Sequence, residues 1–270
     1  MAITNFIPQV WSARLQDNLQ HALVFGNLCN RNYEGDIAQW GDTVHINTLN
    51  DITVKPYDPV AGIDDPEQLS GSDIILTIDH GTYYNFYIND VDAVQAHADL
   101  MDAAMRNAAY RLAVNTEAYL LGVIRGNTQN KLTKPMPTVE NGKLYELLLE
   151  IKSNFDMHGV PRHDRKLILP PTLESMLLMD NRFITGSSAA SVHLEEGCIA
   201  RALGFDIYTS PDLENEIIAM IPDAVTFASQ ISKVEAYRPE KGFSDGMKGL
   251  CLCGAKVLIP SAVCVYTIAG

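Results

Sequence analysis

The residues in this chain best suited to chemistry are its cysteines, its histidines and one acidic run. Cys251 and Cys253 alternate within a segment that reads as a strand, so both thiols leave the same face. A metal centre there needs two further ligands at fixed distance, and none is signalled, so they read as small buried hydrophobes. His158 and His163 flank Gly159-Val160-Pro161-Arg162 at a helix end, where histidine meets terminal carbonyls. His97 sits midway along a long helical pattern and reads as a partly buried helix residue. Asp64, Asp65 and Glu67 offer oxygen ligands, but their spacing does not match a calcium loop and a solvated charge run fits better. The run TGSSAAS at 185–191 has the composition of a loop rather than of a nucleophile site.

No glycine-rich dinucleotide fingerprint, Walker loop, HExxH helix, CxxC pair or GxSxG elbow occurs in the chain. The sequence therefore identifies no catalytic residue, no cofactor-binding residue and no metal ligand. A net charge of −13 argues against a nucleic-acid grip, which needs basic patches to displace counterions. It leaves room for a protein that surrounds nucleic acid and lets it slide. Five cysteines, odd in number and scattered, suit reduced thiols better than a disulfide framework. The first residues lack a basic and an apolar signal region, which places synthesis in the cytosol, and no apolar run approaches the ~20 residues of a membrane span. With 270 residues, 47% of them hydrophobic, the chain has the material for a large core.

The element that organises the rest is the stretch 89–126. It contains no proline and, before its end, one glycine, Gly122, and alanine is its commonest residue. Asn89 or Asp90 caps its start and Gly126-Asn127 its end. Val91, Val94, Ala98, Met101, Met105, Ala108, Leu112 and Tyr119 form an apolar stripe. Such a helix runs roughly 50 Å, too long for a small domain.

Ahead of it, 8–25 reads as an amphipathic helix ended by Gly26-Asn27, and 30–40 as an extended arm. Alternating runs at 43–48 and 73–78 then flank an acidic, turn-rich segment, which predicts a long projecting hairpin, followed by a third run at 82–88. A linker is expected at 127–141. Beyond it come helices at 144–155 and 172–180, the latter capped by Thr172, and a strand at 166–169. A helix at 194–203, a strand at 205–209, an apolar run at 217–221 and three returning strands after Ile231 complete the reading.

Six segments, at 7–37, 40–54, 88–113, 160–171, 202–210 and 224–260, resemble in order the major capsid proteins of tailed bacteriophages. The likeness is strongest to the branch related to the coat protein of Salmonella phage P-twenty-two. The resemblance implies an α+β, Hong Kong 97-like capsid fold with an N-terminal arm (1–40), an E-loop hairpin (41–88) and a P-domain spine helix with its linker (89–135). An A-domain (136–222) and returning P-domain strands (223–270) follow. It implies a structural protein, not an enzyme, that forms the pentamers and hexamers of an icosahedral head around double-stranded DNA. Portal and decoration proteins are the implied partners. The chain is too short for the inserted domain of the P-twenty-two coat and shows no scaffolding extension ahead of Ile7, so a separate scaffolding protein is expected. Lys55 is the only lysine between Thr43 and Asp90, the region where some relatives cross-link, and nothing else in the sequence supports that chemistry. The alternatives are an encapsulin-type compartment around a cargo enzyme and a soluble α/β enzyme.

Overall fold

The computed structural model describes residues 23–34, 39–49, 52–54, 57, 65, 68, 71–89, 100–135, 143–179, 198–239 and 244–269. The expected cap at Asp90, His97, Asp64, Glu67, Lys55, the 185–191 loop and most of the first helix lie outside those residues.

The chain enters through a short helix, α1 (Phe25–Leu28), and crosses to β1 (Thr43–Leu49), β2 (Gly71–Thr77) and β3 (His80–Asn89). The long helix α2 (Leu100–Asn127) follows, then β4 (Asn130–Pro135), α3 (Lys143–Met157), β5 (Arg165–Leu169) and α4 (Pro171–Met179). Next come β6 (Cys198–Ala202), β7 (Phe205–Thr209), β8 (Glu216–Met220), β9 (Val225–Tyr237), β10 (Ser244–Val257) and β11 (Val263–Ala269).

These strands make three sheets: β1-β2, β3-β10-β9 and β4-β11-β8-β5-β7-β6. The first is the predicted hairpin, antiparallel with Thr43 opposite Thr77 and Leu49 opposite Gly71. The second carries α2, which lies against β3 and β10. The third is mixed: β4 runs parallel to β11 and β5 parallel to β7, while the remaining pairs are antiparallel. Leu147, Leu148, Ile151 and Phe155 of α3, Ile168 of β5, Ile218 of β8 and Val265 of β11 are buried in one core with α2. At about 25 cal/mol per Å² of apolar area, a continuous core of this kind dominates the stability of the body.

α2 spans 28 described residues, about 42 Å at ~1.5 Å per residue. Gly126 and Asn127 are its last two residues rather than a stop beyond its end, and the Asn127 side-chain amide donates to the Val123 carbonyl at 2.9 Å. The buried face is rotated from the expected stripe, running through Met105, Ala109, Leu112, Ala113, Thr116, Glu117, Leu120, Leu121 and Ile124. Sheet and arm approach α2 from different sides, and its alanines leave room for both, so one three-four stripe does not describe it.

Four further expectations need correction. Residues 198–202 form a strand, not a helix: Leu203 and Gly204, both at positive φ (55° and 87°), turn the chain so that Ala202 pairs with Phe205. The tight turn overrides the helix preference of Ala-Arg-Ala-Leu. The 127–141 segment is not wholly linker, because β4 adds to the sheet edge beside β11. Gly26 and Asn27 lie inside α1 rather than ending a helix. Thr172 also lies inside its helix, which opens at Pro171, with the Leu173 and Glu174 amides donating to the Pro170 carbonyl.

Candidate assembly interface

The hairpin buries one face and leaves the other bare. Ile46, Leu76 and Ile78 join Ala228 and Leu252 in a small second core, with Tyr33, Val44, Leu250 and Leu258 packed around it. This core fixes the hairpin root on the face of the β9-β10 sheet away from α2. Further out, Val54 is 91% exposed, Tyr57 72% and Ile52 66%, and Ile75 also faces solvent.

Glycine lets the root sit close. A Cβ at Gly254 would collide with the Thr77 carbonyl oxygen and approach Ile78 to 2.8 Å, and one at Gly81 would lie 2.6 Å from the Trp40 ring. The His80 ring stacks on Tyr119 of α2, centroids 4.2 Å apart, and the Tyr119 hydroxyl donates to Asp79 at 2.8 Å. Burial and the Asp79 carboxylate push the Tyr119 hydroxyl pKa upward, so it stays a donor.

On β3 the residues alternate. Tyr84 and Phe86 pack into the main core, whereas Tyr83 and Tyr87 are 78% and 63% exposed. Their face continues across Tyr237, Lys248 and Glu235, the last two paired at 2.8 Å, and the Tyr237 hydroxyl donates to Asn85 at 2.7 Å. A Cβ at Gly246 would lie 2.6 Å from the Tyr237 ring, so glycine makes room for the tyrosine to cover β10. Lys233, Glu235, Lys248 and Leu250 line an open groove beside Tyr83. The result is a flat face with aromatic rings and both signs of charge, a composition suited to binding another protein surface.

The arm meets α2 at Glu117. This side chain is 2% exposed and accepts three backbone N–H groups, from Val24 and Gly26 at Oε1 (3.0 and 3.1 Å) and from Phe25 at Oε2 (3.0 Å). These are first-turn amides that α1 itself leaves unpaired. Burial raises the Glu117 pKa to about 7 against the pull of these bonds, and Asp212 adds to the rise. Beyond α1 the arm is pinned again, with the Asn30 amide donating to Val225 O and the Phe227 amide to Asn30 O, both at 2.9 Å. The described part of the 30–40 arm thus lies along its own chain's β9.

Of the residues with chemical potential, Cys251 and Cys253 are buried, as expected, and burial raises their pKa to about 11 and about 12. His158 caps α3 through the Asn154 carbonyl at 2.8 Å, also as expected. His163 lies in the exposed turn beside Asp164, 3.4 Å away, and Asp65 is exposed. Among the described residues no three His, Cys, Asp or Glu side chains gather as a metal set. No described helix is long and apolar enough to cross a membrane. The sequence reading missed Glu117 and the His80–Tyr119 stack. For Glu117 a signal existed: a carboxylate three residues before Leu120 and four after Ala113, on the buried side of the helix, demands donors from elsewhere.

A long helix lying on one sheet, a two-stranded hairpin packed on that sheet's other face and a separate mixed sheet with two helices make up the Hong Kong 97-like capsid fold, α+β as expected. A solved structure from Mycobacterium phage Che8 matches at a TM-score of 0.74 and 28% identity, covering 90% of this chain and 90% of that one. The capsid structure of cyanophage P-SCSP1u matches at 0.69 and 17% identity, covering 92% and 88%. The asymmetric unit of the bacteriophage PhiM1 mature capsid matches at 0.64 and 14% identity, covering 89% and 88%. No protein-family model matches the sequence. No curated protein matches it either.

Proposed function

We propose that the protein is the major capsid subunit of a tailed phage, self-assembling into the icosahedral head around double-stranded DNA. The observation that carries this reading is the hairpin, whose Ile52, Val54 and Tyr57 its own chain leaves uncovered, on a fold that phage structures match over 90% and 92% of the chain. A two-stranded sheet with bare edges is a liability in a monomer and a connector in a lattice. The complementary surface is the Tyr83–Tyr87 face, on which a neighbour's hairpin buries both apolar side chains and strand edges. Many modest contacts of this kind sum around five-fold and six-fold rings.

The partners are copies of the chain itself, a separate scaffolding protein, a portal protein and decoration proteins, with assembly in the host bacterial cytoplasm. Procapsid maturation moves the hairpin relative to α2. DNA is enclosed without sequence-specific binding: with −13 net charge, an acidic inner wall disfavours adhesion and helps packaging and ejection. The branch related to the P-twenty-two coat rests on the sequence segments.

The test is electron microscopy and mass spectrometry of particles purified from cells making the protein, alone and with a scaffolding partner. Closed shells without a cargo enzyme support the reading. A cargo enzyme inside points to the encapsulin-type compartment, and a monodisperse monomer with measurable turnover to a soluble α/β enzyme.

A further inference from the structure

The tyrosine face of the β3-β10-β9 sheet carries a charge pattern that its own chain does not answer. Leu250 of β10 stands opposite Tyr83 on one side and Lys233 on the other, and Lys248 stands opposite Asn85 and Glu235. Cross-strand partners point to the same side of a sheet, so these six side chains stand together. They line one open groove. Lys248 reaches Glu235 at 2.8 Å, and both side chains remain half exposed. Lys233 is exposed and forms no ion pair among the described residues. Two ammonium groups and one carboxylate leave the groove net positive, on a chain whose net charge is −13.

The hairpin has the opposite character. From 58 to 67 the sequence places four carboxylates, Asp58, Asp64, Asp65 and Glu67, and no basic residue. Asp65 is exposed, and the stem that leads to this run passes through Val54 and Tyr57, 91% and 72% exposed. The hairpin root is seated on the same face of the sheet as the groove, since Leu250 packs against that second core as well. A projecting acidic segment and a basic groove at different places on one subunit suit a head-to-tail contact, which closes into rings rather than pairs.

We propose that the Lys233–Lys248 groove is an electrostatic guide: it receives the acidic 58–67 segment of a neighbouring copy's hairpin and so fixes the direction in which that hairpin docks on the tyrosine face. This role presupposes the capsid reading, since only neighbours in a lattice bring hairpin and groove together. Exposed ion pairs are individually weak and screened by salt, so the groove does not hold the shell together. Burial of Ile52, Val54 and Tyr57 does that. Opposite charges at an exposed rim instead steer the encounter and set its register, which speeds association.

The test is the rate of shell assembly from dissociated full-length subunits with the scaffolding partner, followed by light scattering. It is run at about 0.1 M and about 1 M sodium chloride, between which the screening length falls from about 10 Å to about 3 Å. Lys233→Glu with Lys248→Glu should slow assembly at least about tenfold at the lower salt and lose most of that difference at the higher. Adding Asp64→Lys and Asp65→Lys to the same chain should restore the rate, because every hairpin then meets a groove of opposite sign again. Lys233→Gln with Lys248→Gln removes the charge without adding repulsion, should give an intermediate rate, and decides the matter if the glutamate pair fails to fold. Assembly indifferent to both lysines overturns the guide and leaves the capsid reading intact. So does a loss that the hairpin lysines do not restore, which gives the groove to another partner such as the scaffolding protein. Wild-type subunits that form no shells overturn the capsid reading itself, and the guide with it.

Discussion

His80 and Tyr119 stack face to face, centroids 4.2 Å apart and planes within 9°, and this contact ties the root of the projecting hairpin to the middle of the long helix. With Asp79 holding the Tyr119 hydroxyl, the spine helps fix the angle at which the hairpin leaves, alongside the core that seats its root on the β9-β10 sheet. In a lattice that angle decides where the hairpin meets the next subunit.

Tyr119→Ala should therefore lower subunit stability by about 2 kcal/mol, through lost ring packing and one hydrogen bond. It should impair assembly more than that loss alone implies. Tyr119→Phe keeps the stack and should cost under about 1 kcal/mol. Urea unfolding of the dissociated subunits, beside particle yields, checks both.

Gly254→Ala and Gly122→Ala should act in opposite directions. At Gly254 a Cβ meets the Thr77 carbonyl oxygen, backbone that cannot swing away, so the hairpin root must shift and shells should fail or become irregular. At Gly122 a Cβ meets nothing within 4 Å, so alanine should stabilise the helix by about 1 kcal/mol. Gly122→Ala should also leave shell assembly and expansion intact. Arrest of expansion would instead assign Gly122 a bending role in maturation.

Arg165→Ala should unfold the mixed-sheet body most readily. Its side chain is 1% exposed, lies between Phe155 and Phe205, and donates to Asp156 at 2.9 Å and to the Val160 and Pro161 carbonyls. Losing that packing and leaving the carbonyls without donors should cost about 3 kcal/mol. The urea midpoint reads it.

Acid should attack the same body through Asp206. Burial raises its pKa, but hydrogen bonds from Arg201 and Lys166 more than offset this, and the carboxyl stays below its ordinary 3.8. Its stabilising contribution is complete above 3.8 and is lost as pH falls through the lower folded value. Asp206→Asn should flatten that part of the acid-unfolding profile, measured as urea midpoint against pH.

Alkylation of the native protein near pH 8 should modify Cys198 first. It is the half-exposed cysteine, whereas Cys29, Cys251, Cys253 and Cys264 are buried with raised pKa values that keep them as unreactive thiols. Peptide mapping by mass spectrometry gives the order.

Much of this architecture was legible from local pattern. Alternation at Val44 and Ile46 marked β1, Leu147, Ile151 and Phe155 marked α3, and β7 appeared at its predicted bounds. What failed was set by contacts distant in sequence. β4 exists because β11, more than a hundred residues later, offers it an edge. β6 exists because the Leu203-Gly204 turn folds it onto β7. The role of Glu117 depends on amides 91 to 93 residues away, which no window along the helix contains.

The most direct test of the account is a three-dimensional reconstruction of particles formed by the full-length protein with its scaffolding partner. The expected result is an icosahedral shell in which the β1–β2 hairpin of one subunit lies over Tyr83 and Tyr87 of its neighbour. A protein that stays monomeric under those conditions, or a shell in which that tyrosine face is bare, would contradict it.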